Sequence, residues 1–350
     1  MSKTKILVFG YFGFEHNELC GQTIKTRNVY SLLKDNVSED LVALSYVDSQ
    51  TFKNNKIKFL NALRDFSKAD VVYYLPASKN LTYIFPILFL VSKLFRVQLH
   101  YIVIGGWLGE FLKSKVLHKW MLVRINKIYV ETKALKELLA STYSFKNVAL
   151  LHNFRNVKYK ALIKNDTGIG LVFMARINPK KGIELLFKLS EKLKKNKLSS
   201  ISIDMYGPIV SDYENEFNKK LLNSNDNLNY KGILDPSDIY ATLNKYDLML
   251  FPTKYYTEGL PGSIIDGYIA GLPVIASKWL YASEIIEDNV SGIVTDFDNE
   301  EAFIEKVLEI VENPLLLNKL KEGALKKKNE FSADKAWEIV KGNLDVALEK

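Results

Sequence analysis

The stretch EGLPGSIIDGYIAGLPVIAS, Glu258 to Ser277, holds two carboxylates eight positions apart, a Gly-Leu-Pro-Gly step and an apolar run that ends in Pro-Val-Ile-Ala. The segment before it, DLMLFPT, has the apolar, bounded pattern of a buried strand, so KYYTEGLPG is the loop at that strand's carboxyl end. A helix is predicted to start near Ser263, and a helix start presents unpaired N–H groups and positive dipole to an anion. Gly259, Leu260, Pro261 and Gly262 lead into it and are read as a phosphate-binding turn. Asp266, about one turn into the helix, is placed to accept hydrogen bonds from a ribose diol, as acids do in dinucleotide sites. Glu258 would then hold the hydroxyls of a second ring. Taken alone, the two acids read equally well as surface carboxylates beside a helix start.

Outward from this stretch the same grammar recurs: a β-branched strand, a glycine-bearing turn, a helix of 3.6 period. KILVFG, EDLVALSYV, DVVYYLP, VQLHYIVIGG, KIYVET and NVALLHN form one set, and GLVFMAR, SISIDMYG, LNYKGIL, DLMLFPT, PVIAS and GIVTDF a second. Strands apolar on both faces that alternate with helices predict α/β domains with parallel sheets covered on both sides. Length points the same way, since 350 residues exceed what one core usually fills. The polar, aperiodic run from Asn153 to Gly168 reads as a hinge. The expected domains are 1–155, 166–330 and a C-terminal helix at 331–350, capped by Ser332, that packs back toward the first domain through Ala336, Trp337, Ile339, Val340, Leu344 and Leu348. Ligands of open parallel sheets bind beyond the carboxyl ends of the strands, so the expected site is a deep cleft between two facing domains.

Composition excludes several classes. Apolar residues make up 47% and charged residues 25%, the balance of a globular chain, and a single cysteine, Cys20, permits no internal disulfide. The first residues run directly into a strand without the apolar core of a secretion leader, so a cytoplasmic location is expected. The most apolar window, Leu81 to Phe95, is shorter than the roughly 20 residues a membrane-spanning helix needs, and Pro86 interrupts it. It is expected to be a buried or interfacial helix. Residues 1–160 carry 24 Lys and Arg against 11 Asp and Glu, whereas residues 161–350 carry 24 against 29. The basicity therefore belongs to the first half and predicts an acidic partner there.

Two further clusters carry chemistry. Arg176 follows the strand GLVFMAR, and Lys181-Gly182 opens the next helix, so a bidentate fork and a point charge flank one helix start as a pyrophosphate clamp. Lys180 has no comparable placement and reads as a solvated charge. The first loop, GYFGFEHNELCGQT, places Gly10, Gly13 and Gly21 after the first strand, where bare backbone can approach a ligand. Asp296-Phe297-Asp298 has the outline of a metal-holding D-x-D but reads as the start of the next helix. No Cys or His set has metal-ligand spacing.

Together these pieces resemble the family 4 glycosyltransferases of the GT-B architecture over nearly the whole chain. The landmarks are the glycine loop at Gly21, Asn153, Arg176 with Lys181-Gly182, Gly207, Lys231-Gly232, EGLPGSIIDGYIAGLPVIAS, Glu284 and Ser291-Gly292. The resemblance implies two Rossmann-like domains, a donor site built from Gly21, Gly207, Gly259 to Gly262 and Asp266, and Glu258, Arg176 and Lys181 at the reaction centre. It implies retaining transfer from a nucleotide sugar, UDP by default, with cations and helix dipole in place of a metal, so that no cofactor is required. Two departures stand out. The second acid is Asp266 where the family has Glu, and the family's histidine in the first domain gives way to the IGGWL turn, whose Gly105 and Gly106 are the acceptor-side candidates. His100 and His118 read as structural.

After IGGWL comes GEFLKSKVLHKWMLVRINK, read as one helix that mixes Phe111, Leu112, Val116, Trp120 and Met121 with Lys113, Lys115, Lys119, Arg124 and Lys127. That mixture suits anionic lipid. The expected acceptor is accordingly a lipid-linked glycan of surface polysaccharide assembly, met at the inner face of the cell membrane. A catalytically silent scaffold or chaperone of this fold, or an epimerase of a UDP-sugar, are the alternatives. Nucleic acid is not an expected partner, because no helix-turn-helix or RNA-binding signature is present.

Overall fold

Each β-branched run is apolar enough to be covered on both faces, and within each set one run is joined to the next through a helix, which suits parallel pairing between neighbours. A computed structural model describes residues 3–16, 20–52, 56–161, 168–198 and 200–344. The chain divides into two units, Met1–Val157 with Phe331–Lys350, and Lys158–Glu330.

In the first unit the strands are β1 (Thr4–Gly10), β2 (Val42–Asp48), β3 (Val71–Leu75), β4 (Gln98–Ile102), β5 (Lys127–Val130) and β6 (Val148–Leu150). Their order is β2-β1-β3-β4-β5-β6, all parallel. The second unit has β7 (Gly170–Met174), β8 (Ser202–Tyr206), β9 (Leu228–Tyr230), β10 (Leu248–Phe251), β11 (Val274–Ser277) and β12 (Gly292–Thr295), in the parallel order β12-β11-β10-β7-β8-β9. Chain direction across the sheet reverses between β1 and β3 in one unit and between β7 and β10 in the other. Loops leaving two such strands diverge to opposite faces and open a crevice, the usual ligand position in these sheets.

The last helix, Ala333–Lys341, belongs to the first unit because its apolar face has a core to enter there. Ala336, Trp337 and Val340 join Ile6 and Val8 of β1 and Val29, Leu32 and Leu33 of the helix Gly21–Asn36. Ser332 caps it, its hydroxyl accepting from the Lys335 N–H. The Arg155 N–H donates to the Phe331 carbonyl at 3.1 Å, tying the returning chain to the end of the first unit. Leu344 packs against the same core beyond the helix, and the expected contact of Leu348 lies outside the described residues.

Two segments expected as single helices are each divided. Leu81 to Phe95 falls on Ser78–Tyr83 and Phe85–Leu94, with Pro86 in the first turn of the second, where its missing N–H costs nothing. The helix expected after IGGWL is Leu108–Leu112 followed by Val116–Leu122. The break at Lys115 lets Leu112 and Met121 both turn inward, at 0% and 3% exposure.

One buried charge pair joins the start of the first long helix to the end of β5. Lys25 Nζ lies 2.6 Å from Glu131 Oε1, with the two side chains 1% and 3% exposed. The Gly105 N–H donates to Glu131 Oε2 at 3.2 Å, so the pair also holds the IGGWL turn. Burial pulls the Lys25 ammonium below the ordinary lysine range while the carboxylate opposes that pull. Removing one partner leaves the other charge buried without compensation. Lys25→Met is expected to cost about 3–5 kcal/mol in urea unfolding, and Lys25→Met with Glu131→Met to recover most of it. A midpoint equal to wild type in the single variant would show that the pair does not hold this helix.

Candidate functional site

The residues singled out in the second unit gather where β7 and β10 lie side by side, with Leu171 opposite Leu248 and Val172 opposite Met249. Arg176 to Gly182 leave the end of β7, and Pro252 to Gly262 leave the end of β10. The two loops approach each other closely through their backbones. Gly182 is left-handed at φ +77°, and a Cβ there would stand 1.7 Å from the Pro252 carbonyl oxygen. The Lys254 N–H donates to the Lys180 carbonyl at 2.9 Å, locking the loops a second time.

This approach brings Lys181 and Glu258 together. The ammonium donates to Glu258 Oε2, and the side chains are only 15% and 17% exposed. The same ammonium lies 5.7 Å from the centre of the Phe251 ring, a second electrostatic hold on its position. Thr253, itself 1% exposed, contacts Glu258 Oε2 at 3.5 Å and takes the Tyr255 N–H at 3.1 Å. Sequence reading did not identify Thr253, whose only local signal is its place two residues past the strand end.

Arg176 is exposed and has no side-chain partner among the described residues. Its backbone is fixed by Gly207, at φ +135°, where a Cβ would fall 2.0 Å from the Ala175 carbonyl oxygen and 3.4 Å from the Arg176 nitrogen. Gly207 donates to the Gly232 carbonyl at 2.9 Å and accepts from the Tyr230 hydroxyl at 2.9 Å. Gly182 and Gly207 are thus packing glycines, positioned where backbone meets backbone.

The helix after the second loop spans Gly262–Ile269 with Pro261 at its N-cap. Leu260 is buried at 3% exposure, and the Gly259 carbonyl accepts from Trp279 Nε1 at 3.3 Å, so the turn before the helix is anchored to β11's following loop. Asp266 lies at 5% exposure with Oδ1 accepting from the Tyr240 hydroxyl at 3.1 Å. The structure therefore pairs Asp266 with Tyr240. Ser291, at 0% exposure, meets the Tyr268 hydroxyl at 3.2 Å and ties the start of β12 to the helix Gly262–Ile269, while a Cβ on Gly292 would lie 2.1 Å from the Val274 carbonyl oxygen, so that glycine lets β12 lie close to β11.

In the first unit Gly21 is the first residue of its helix, with open space around it, and residues 17–19 of the glycine loop lie outside the described residues. Gly105 takes φ +82°, and Trp107 Nε1 donates to the Ile104 carbonyl at 2.7 Å to close the IGGWL turn around Gly106. His100 is 1% exposed between Tyr73 and Tyr129, and burial with the nearby Lys127 charge pushes its pKa down to about 3. His118 is 7% exposed and meets the Leu81 carbonyl at 3.1 Å. Asp298 sits 3.6 Å from Lys254 Nζ, whose closer partner is Glu300 at 2.7 Å. Among the described residues no group of three or more His, Cys, Asp and Glu could hold a metal ion.

In fold, the chain resembles Anabaena HepE, solved with UDP and glucose, at TM-score 0.75 over 98% of this chain and 100% of that one, with 13% identity. Two such doubly wound units define the GT-B class. Residues 155–327, about half of the chain, match the family model described as glycosyl transferases group 1, and this segment is a domain of that family. Poly(ribitol-phosphate) alpha-N-acetylglucosaminyltransferase of Staphylococcus aureus is 25% identical over 236 residues, 65% of this chain and 46% of its own length. Alpha-galactosylglucosyldiacylglycerol synthase of Streptococcus pneumoniae is 24% identical over 231 residues, 62% of this chain and 59% of its own. The match thus spans less than two thirds of either relative.

The glycine contacts make a direct prediction. Gly182→Ala is expected to lose at least about 2 kcal/mol of stability, because strain and overlap act together. Gly232→Ala shares the left-handed backbone, at φ +82°, but has nothing within 4 Å. It is expected to lose only about 1 kcal/mol. Equal midpoints for the two variants in guanidinium unfolding would refute the close approach of the loops.

Proposed function

We propose that the chain is a metal-independent, retaining hexosyltransferase of family 4, moving a hexose or N-acetylhexosamine from a UDP-sugar to a hydroxyl of a lipid-linked glycan. The observation that carries this reading is the enclosed Lys181–Glu258 pair at the reversal of strand order, flanked by exposed Arg176 and the start of the helix Gly262–Ile269. A diphosphate is the ligand that such a group of cations and N–H donors fits. Its negative charge competes with Glu258 for the Lys181 ammonium, freeing the carboxylate to accept from sugar hydroxyls. Donor binding and sugar recognition are thereby coupled through one ion pair.

In the proposed reaction the acceptor hydroxyl approaches on the face from which the diphosphate departs. The C–O bond to the phosphate breaks, the new glycosidic bond forms, and the hydroxyl proton passes to the departing phosphate oxygen. Charge grows on that oxygen, so Arg176, Lys181 and the helix start contribute most as the bond breaks. Asp266, with Tyr240 orienting it, is assigned to the ribose. The solved neighbour with UDP and glucose supports the choice of nucleotide, and the relatives named for poly(ribitol-phosphate) glycosylation and for galactosylglucosyldiacylglycerol synthesis support a polymer or lipid acceptor. A lipid-linked acceptor places the chain at the inner face of the cell membrane, with the first unit receiving the acceptor through the turn at Gly105 and Gly106.

A thermal-shift series with UDP, GDP and ADP tests the donor half. UDP at 100 times its dissociation constant is expected to add about 2.7 kcal/mol of stability, and failure of all three nucleotides would end the donor assignment. Glu258→Ala and Lys181→Ala are each expected to lower sugar transfer by at least about 100-fold with an unchanged circular dichroism spectrum. Transfer at the wild-type rate in either variant removes that residue from the mechanism.

A further inference from the structure

Between Val71 and Lys127 the sequence has eight Lys or Arg and one acid, Glu110. Most of the chain's net charge of +8 is therefore concentrated here. In the structure that charge surrounds large apolar side chains that no core covers. Helix Phe85–Leu94 sends Phe85, Leu88 and Phe89 into the core of the first unit, while Tyr83, just before it, with Ile87, Leu90 and Leu94 form an outward stripe at spacings of four, three and four. Tyr83, Leu90 and Leu94 are 75%, 67% and 77% exposed. Helix Val116–Leu122 turns Met121 and Leu122 into the same core and leaves Val116, Leu117 and Trp120 outside at 75%, 60% and 49%.

The two helices lie against each other. Trp120 meets the edge of Phe89 at 5.6 Å, and Lys93 Nζ donates to the Arg124 carbonyl at the end of the second helix. Because both bury their inner faces in one core, their outer faces look the same way. The cations lie along the apolar surface: the Arg124 guanidinium is 4.4 Å from the Trp120 ring centre and the Lys93 ammonium 5.5 Å from that of Phe89. Long basic side chains over aromatic rings on an exposed face are the arrangement of a protein surface at a lipid headgroup layer.

We propose that these two outward helix faces dock the chain on an anionic bilayer, with Leu90, Leu94, Leu117 and Trp120 entering the headgroup boundary and Lys93, Arg96, Lys119 and Arg124 holding lipid phosphates. Charge selects this occupant. A second copy seated on the same face would set one basic patch against another, and an apolar partner would leave the cations without counter-charge. The surface gives the proposed function its membrane partner, resting on that reading only for its purpose; docking itself needs neither nucleotide nor turnover.

The full chain, without nucleotide, is to be sedimented with vesicles of phosphatidylcholine alone and with about one third phosphatidylglycerol, at low salt and at roughly 0.5 M, where screening removes most surface attraction. Binding is expected to be at least about tenfold greater on the anionic vesicles at low salt. Leu90→Glu with Leu94→Glu is expected to abolish it at an unchanged melting temperature, since both side chains are exposed. Replacing Lys93, Arg96, Lys119 and Arg124 by Gln is expected to remove the preference for phosphatidylglycerol. Binding unaffected by the Glu variants, equal binding to both vesicles, or no binding overturns the proposal. So does a concentration-dependent dimer in ultracentrifugation that the Glu variants dissolve, because a second copy then covers the face. Vesicle binding that persists when no nucleotide shifts melting would leave this surface standing and remove the catalytic reading alone.

Discussion

The second unit depends on one steric constraint, the approach of Gly182 to the Pro252 carbonyl. Any side chain at that position would force apart the loops leaving β7 and β10. With them together, Lys181 reaches Glu258, Phe251 lies under the ammonium and Lys254 bonds back to Lys180. The energy of the ion pair is modest at its partial exposure; its value is positional, since it sets two opposite charges side by side before any ligand arrives.

The first unit uses a different device. There the buried Lys25–Glu131 pair, with Gly105 donating to the same carboxylate, fixes the turn that ends β4 and the start of the helix after β1. Both units thus use a Lys–Glu contact at the carboxyl-end side of the sheet, one almost fully buried and one partly reachable from solvent. The buried pair is suited to holding backbone, while the reachable pair can exchange partners with an incoming anion.

Much of the architecture was legible because its signals are local. A run such as KILVFG or DLMLFPT declares a doubly covered strand within a few residues, and the twelve strands among the described residues lie on the segments that carried that pattern. Helix breaks were less legible. Pro86 announced one of them, but the division after Leu112 depends on which apolar residues the core can accept, and 3.6 periodicity does not reveal that. For the same reason Phe111, Leu112, Val116, Trp120 and Met121 read as part of one mixed helix, whereas Leu112 and Met121 are core and Val116 and Trp120 are surface.

The sequence by itself determined the order of strands and helices, the two-unit plan and the loops on which Arg176, Lys181, Glu258 and Asp266 lie, since hydrophobic period and glycine position act over a few residues. Only the tertiary structure decided what those side chains meet. Lys181 finds Glu258 across 77 positions, Lys25 finds Glu131 across 106, and Tyr240 claims Asp266 across 26. Such partners are chosen by strand order and register, which bring distant loops to one edge of a sheet. No stretch of chain short enough to read as a motif contains both ends of these contacts.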